Sequence, residues 1–183
     1  MHTQKKLTRR IHVLTTAAML TALSIVIGIF CKNFLNFGNG LFRITFENFP
    51  IILSGIMFGP AVGAGVGIAS DVLSYVLSTQ SFAISPIVTL GAALIGVTSG
   101  VLSHYVIKRD GSLKIAVSAM GAHIVGSMIV KSAGLFVYYG WLVVWRIPLY
   151  VLISSLEIIL ICLMYKNKTF NTLINNVNKG DKK

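Results

Sequence analysis

The chain has 183 residues, of which 55% are hydrophobic and only 11% charged, and this excludes an ordinary soluble domain. Its apolar residues come in runs of about 20, the length that crosses a bilayer as a helix, and the short alternating strands of a membrane β-barrel are not visible. The net charge of +11, from 16 Lys+Arg against 5 Asp+Glu, crowds the termini and one loop without interleaved aromatics. It reads as topogenic charge and headgroup anchoring, not as a nucleic-acid surface.

Residues 1–11 carry Lys5, Lys6, Arg9 and Arg10, which the positive-inside rule places in the cytoplasm. The first span is expected over 12–30. No small-residue cleavage site follows it, so no cleavable signal peptide is expected. Ala17, Thr21, Ser24 and Gly28, with Ala18 and Ala22 beside them, give this helix a broad face of small residues, either for internal packing or for docking another membrane subunit. Residues 31–43 read as a polar outer loop. A short second span over 44–58 contains Pro50 about two turns in, where proline frees backbone carbonyls.

A tight turn at Gly59-Pro60 leads into the third span, 60–77. Gly59, Gly63 and Gly67 recur every four residues and leave a smooth strip where a neighbouring backbone can come close. The fourth span, 85–107, carries a second such strip at Ala92, Gly96 and Gly100. The basic loop Lys108-Arg109-Asp110, with Lys114 beyond, follows it. The fifth span is expected over 113–138, interrupted by His123 and Lys131. The aromatic stretch YYGWLVVWR suits an outer interface, and the last span, 147–165, contains Glu157. The residues from 167 to 183 form a polar, lysine-bearing cytoplasmic tail. The expected architecture is one all-α membrane domain over residues 1–183, with six transmembrane helices and both termini cytoplasmic.

Charge inside a bilayer is costly, so each ionisable residue in a span is a candidate for function. At about 1.5 Å rise per residue, Asp71, His123 and Glu157 fall near mid-membrane, whereas Arg43, Glu47, Lys131 and Arg146 fall toward the outer surface. The polar groups thus outline a cup open on one side, which favours a binding site over a continuous channel. Three plainer readings stand beside it: Asp71 paired with His123 or Lys131 to hold helices together, His123 in the same role, and Arg146 as an interface anchor. Cys31 and Cys162 form no CxxC, and no metal motif or disulfide framework is expected. The absence of GxSxG, HExxH and a P-loop argues against an enzyme and against ATP hydrolysis by this chain. A small membrane enzyme or a scaffold is the alternative from another class. No cofactor is implied.

The stretch R-I-T-F-E-N-F-P…G-x-M-F-G-P…A-S-D-V-L-S-Y-V-L, from Arg43 to Leu77, resembles the S components of energy-coupling factor (ECF) vitamin transporters, most nearly the folate-specific ones. The segments I-S-P-I-V-T-L-G-A-A-L-I-G, from Ile84, and R-I-P-L-Y…E-I-I-L, from Arg146, fit the same family, so the resemblance covers nearly the whole chain. Glu47 and Asn48 stand where many folate components carry a glycine-aromatic pair. The resemblance implies a six-helix protein in the bacterial plasma membrane that binds a vitamin from outside. It also implies association with a transmembrane coupling protein and two cytoplasmic ATPases, and delivery of the vitamin by toppling in the membrane. The family's Ala-x-x-x-Ala docking motif is matched by Ala18 and Ala22. For folate, chemistry suggests Asp71 at the donor edge of the pterin, with Glu47 or Glu157 behind it. Arg43, Lys131 and Arg146 would suit the glutamyl carboxylates, and Tyr75, Phe82, Tyr139 and Trp141 could wall the rings. Other vitamins or precursors, such as thiamine or riboflavin, remain open alternatives.

Overall fold

The computed structural model describes residues 2–37, 42–77, 86–107 and 111–167. Phe82, the loop 78–85, the basic residues 108–110 and the tail beyond 167 lie outside the described residues, as do the side chains of Arg43 and Tyr139. Helix α1 (His2–Phe34) is followed by a two-strand ribbon, β1 (Asn36–Phe37) antiparallel to β2 (Phe42–Arg43). Next come α2 (Asn48–Phe58), α3 (Pro60–Leu77) and α4 (Pro86–Val101), the last of which widens into a π turn at Leu102–Val106. Helix α5 (Ser112–Ala122) continues through a π segment, His123–Lys131, into α6 (Ser132–Tyr139). A 3₁₀ turn (Gly140–Arg146) then leads into α7 (Ile147–Lys166).

The expected helical stretches are present, but among the described residues five and not six are long enough to cross a membrane, and several details differ. Helix α1 continues past residue 30 to Phe34, so Cys31 and Lys32 are helical and buried and do not belong to a loop. Helix α2 starts at Asn48, not near 44. Pro50 therefore falls in its first turn, where a missing N–H leaves no hydrogen bond unmade, and it does not interrupt a span. The nine-residue π segment between α5 and α6 was not foreseen, although His123 and Lys131, read as interruptions, are its two ends.

Among the described residues, five helical stretches are long and apolar enough to cross a membrane: Leu7–Phe34, Pro60–Leu77, Pro86–Val106, Ser112–Val137 and Gly140–Lys166. Their outward faces stay apolar, with Leu14, Met19, Val26, Val76, Val137 and Leu163 all exposed, as lipid contact requires. The sixth helix, α2, has 11 residues, about 16 Å of rise, and cannot cross alone. It is instead the buried centre: Pro50 to Met57 and Asn48 are all buried, with Ile51, Ile52 and Ile56 packed against Val66, Ala92, Ile95, Ile115, Ala119 and Ile161. Because α2 is short, its first residues lie within the bundle.

The two small-residue strips pack against each other. A Cβ added to Gly67 or Gly96 would collide with the backbone of Ala92 or Gly63, and one added to Gly100 would lie 2.5 Å from Pro60 N. Helices α3 and α4 therefore touch backbone to backbone, antiparallel. Gly59 makes the α2–α3 turn at φ +92°, which only glycine adopts without strain. Successive helices run in alternating directions, so the ends of α1, α3 and α6 meet the starts of α2, α4 and α7 at the ribbon end.

Candidate functional site

Buried serines occur along the whole bundle, but Glu47, Asp71 and Lys131 come together in its ribbon-end half, where α2 begins. Glu47 caps α2 and Asn48 is its first residue, and both are buried. Opposite them the π segment shapes its own inward face. Its hydrogen bonds run from i to i+5, so residues four apart stay near one another around the axis. His123, Ser127 and Lys131, spaced by four, are accordingly all buried.

Lys131 reaches across to α2. Its Nζ donates to Asn48 Oδ1 at 2.9 Å and stands 3.6 Å from Glu47 Oε1. Thr89 Oγ1, on α4, donates to Asp71 Oδ2 on α3 at 2.6 Å, and Ser24 Oγ on α1 donates to the Glu47 carbonyl at 2.8 Å. Ser24, Glu47, Ile51, Ser70, Asp71, Ser74, Ala92 and Lys131 line one cleft with about 180 Å³ of space between atoms but no point a water molecule could occupy. The open cup expected from the sequence is not seen among the described residues: Glu47, Asp71 and Lys131 come together, but no water-sized hollow lies between them and Arg146 does not line the cleft. Lys32, 1% exposed, lies with its ammonium 4.3 Å from the centre of the Tyr75 ring, joining the ends of α1 and α3.

Deeper in the bundle, His123 Nε2 meets Glu157 Oε2 on α7 at 2.7 Å, with side chains 3% and 0% exposed. From there a thin polar line runs back to the cleft. His123 Nδ1 and Ser127 Oγ are 3.5 Å apart, and Asn48 Nδ2 donates to Ser127 Oγ, also at 3.5 Å, the outer limit of a hydrogen bond.

Of the residues singled out from the sequence, Glu47, Asp71 and Lys131 meet in the cleft itself. His123 and Glu157 pair with each other beneath it, so His123 is not the partner of Asp71. Tyr75 borders the cluster through Lys32. Arg146 is buried, not splayed at an interface. Its guanidinium carbon lies 5.4 Å from the centre of the Tyr150 ring, and it does not line the cleft. Trp141, 81% exposed and edge-on to Phe136, stands apart from the cluster. Ala18 and Ala22 are exposed on the outward face of α1, while Ala17, Leu20, Ser24 and Gly28 face inward.

The sequence reading missed Lys32, which looked like a loop cation, and the neutral groups Ser24, Asn48, Ser74, Thr89 and Ser127. Their only signal is position: Ser127 lies midway between His123 and Lys131, and Asn48 follows Glu47.

The family described as "ECF transporter, substrate-specific component" matches residues 12–177. A solved structure described as the S component of a bacterial ECF transporter superposes with a TM-score of 0.62 at 22% sequence identity. That match covers 86% of this chain and 95% of the other, and it establishes a shared fold. No curated protein matches.

Proposed function

The chain belongs to the family of ECF transporter substrate-specific components, and from that premise we propose that it captures folate at the ribbon end, on the outer side of the cell membrane. It then passes the vitamin inward with a transmembrane coupling protein and two cytoplasmic ATPases. Its role is that of a transport subunit, and in this reading ATP hydrolysis belongs to the partners. Alternating helix directions leave the start of α1 and the end of α7 at the opposite end, where the basic N-terminal residues suit the cytoplasm.

The observation that carries the reading is the buried cluster of Glu47, Asp71 and Lys131 toward one end of the bundle. Charged groups withdrawn from both water and lipid are costly unless they meet a partner, and a polar ligand is such a partner. In this reading Asp71 accepts from the N–C–N edge of the pterin, with Glu47 beside it, while Lys131 and Arg146 take the glutamyl carboxylates, joined by Arg43. Tyr75 lies along the rings. Ala18 and Ala22, exposed on α1, present the docking face for the coupling protein.

The test is folate binding to the purified protein, with Asp71→Asn and Arg146→Ala, alongside mass spectrometry of any small molecule retained from rich medium. Loss of about tenfold or more in affinity for each variant is expected, the worth of one charge-assisted contact. Unchanged affinity in both removes the proposed site. A second reading, a smaller cationic vitamin such as thiamine, is favoured by one feature: the cleft is small and, among the described residues, lined by two carboxylates and one ammonium with no aromatic ring. Competition between folate and thiamine on the wild-type protein separates the two.

A further inference from the structure

We propose that Ser24 and Gly28, on the inward face of α1, are positioning residues that seat Glu47 in the candidate site. The consequence for binding rests on the reading of Glu47 as a ligand-facing group. Helix α1 holds Glu47 at two points. Ser24 Oγ, 1% exposed, donates to its carbonyl at 2.8 Å. One turn further on, the missing side chain of Gly28 makes room for its carboxylate. A Cβ built on Gly28 would lie 2.9 Å from Glu47 Oε2 and 3.2 Å from Ser74 Oγ.

Other glycines also have a side chain as the nearest obstacle, Gly91 with Lys131 Cγ at 2.6 Å among them, but at Gly28 it is the carboxylate of Glu47. At Gly63, Gly67 and Gly96 the obstacle is the backbone of a neighbouring helix, so those glycines hold the bundle together. At Gly28 the nearest atom is the free end of a flexible side chain. A methyl group there can be accommodated without moving a helix, but only by pushing the carboxylate aside. Glu47 Oε1 stands 3.6 Å from Lys131 Nζ, so a displaced carboxylate also disturbs the ammonium across the cleft. The geometry thus makes Gly28 a residue whose substitution reports on the site more than on the fold.

The experiment uses the full-length protein in detergent and two readouts: thermal unfolding without ligand, and titration with radiolabelled folate and, separately, radiolabelled thiamine. Gly28→Ala is expected to weaken binding of whichever probe the wild type takes by about tenfold, and Ser24→Ala by about fivefold. Glu47→Asp shortens the acid by one methylene and supplies the space the new methyl needs. The double variant Gly28→Ala/Glu47→Asp is therefore expected to bind within about threefold of Glu47→Asp alone. In unfolding, the loss caused by Gly28→Ala is expected to shrink by half or more in the Glu47→Asp background. Gly65→Ala, at a position with nothing within 4 Å, serves as the control and leaves both readouts unchanged. Additive effects of Gly28→Ala and Glu47→Asp in unfolding overturn the proposal, as does a Gly28→Ala variant that binds like wild type. If the wild type binds neither probe, the proposed vitamin reading falls, and the unfolding cycle alone decides for or against the seat.

Discussion

Removing one member of the His123–Glu157 pair should cost far more than removing both. The two side chains meet at 2.7 Å with 3% and 0% exposure, and His123 is the basic group that faces Glu157. Were both charged, their attraction at an effective dielectric constant of about 20 would be about 6 kcal/mol, and the cost of burying two ions, several kcal/mol each, offsets most of it. The pair as a whole therefore contributes little net stability. Substituting His123→Leu leaves the acid buried with nothing to meet it, a loss of about 3–5 kcal/mol. For a chain of this size that is roughly 6–20 °C in Tm. Glu157→Leu leaves the His123 imidazole with only the long Ser127 contact, which costs less, about 1–3 kcal/mol. The double substitution His123→Leu/Glu157→Leu exchanges the pair for two apolar side chains and should return to within about 1 kcal/mol of wild type. Thermal unfolding in detergent, followed by tryptophan fluorescence or by loss of monodisperse protein, measures all four corners of the cycle. If the single losses simply add in the double variant, or if His123→Leu melts with the wild type, the two residues do not act as a buried pair.

Gly96→Ala should destabilise by about 1–3 kcal/mol or more, because its Cβ meets the Gly63 carbonyl, whereas Gly65→Ala should be neutral or slightly stabilising in the same melting assay. Ala18→Leu and Ala22→Leu, both on the exposed face of α1, should leave Tm and vitamin affinity unchanged but abolish co-purification with a coupling protein and its ATPases. Because the cleft has no room for a water molecule, vitamin association should be slower than about 10⁶ M⁻¹ s⁻¹. Its observed rate should level off at high vitamin concentration in stopped-flow records. A rate that stays linear in concentration would show an open site.

Much of the fold was legible because bilayer crossing writes itself into hydropathy, and because close helix contact needs glycine or alanine at regular spacing. Gly63, Gly67, Ala92 and Gly96 satisfied both conditions, and the two strips they form do lie against each other. Asp71, Glu47 and Lys131 were legible for a related reason: a charge in an apolar run has a cost that demands an explanation. Lys32 was not, since a lysine at the end of a span looks the same whether it reaches the headgroups or turns inward over Tyr75. Thr89, Ser127 and Ser24 were hidden because a small hydroxyl costs almost nothing in a helix that can satisfy it locally. Trp141 misled in the opposite direction, since an aromatic near a span end serves a lipid interface as readily as a pocket wall. The link between His123 and Glu157 joins residues on different helices and has no local pattern. The short reach of α2, which carries Glu47 and Asn48 inward, depends on Pro50 being read as a first-turn residue.

The cleft is built from two unlike walls. Asp71 and Thr89 sit on α3 and α4, which touch backbone to backbone over three contacts below them, so separating these helices would open voids along their whole seam. Lys131 stands at the end of a π segment, an irregular stretch of helix frequently found at functional sites. Its ammonium is held by Asn48 and Glu47 alone among the contacts described, and both lie at the start of one short helix. Under the proposed reading, a vitamin entering the cleft would compete with Asn48 and Glu47 for Lys131, while Asp71 would serve as a docking point already set by Thr89.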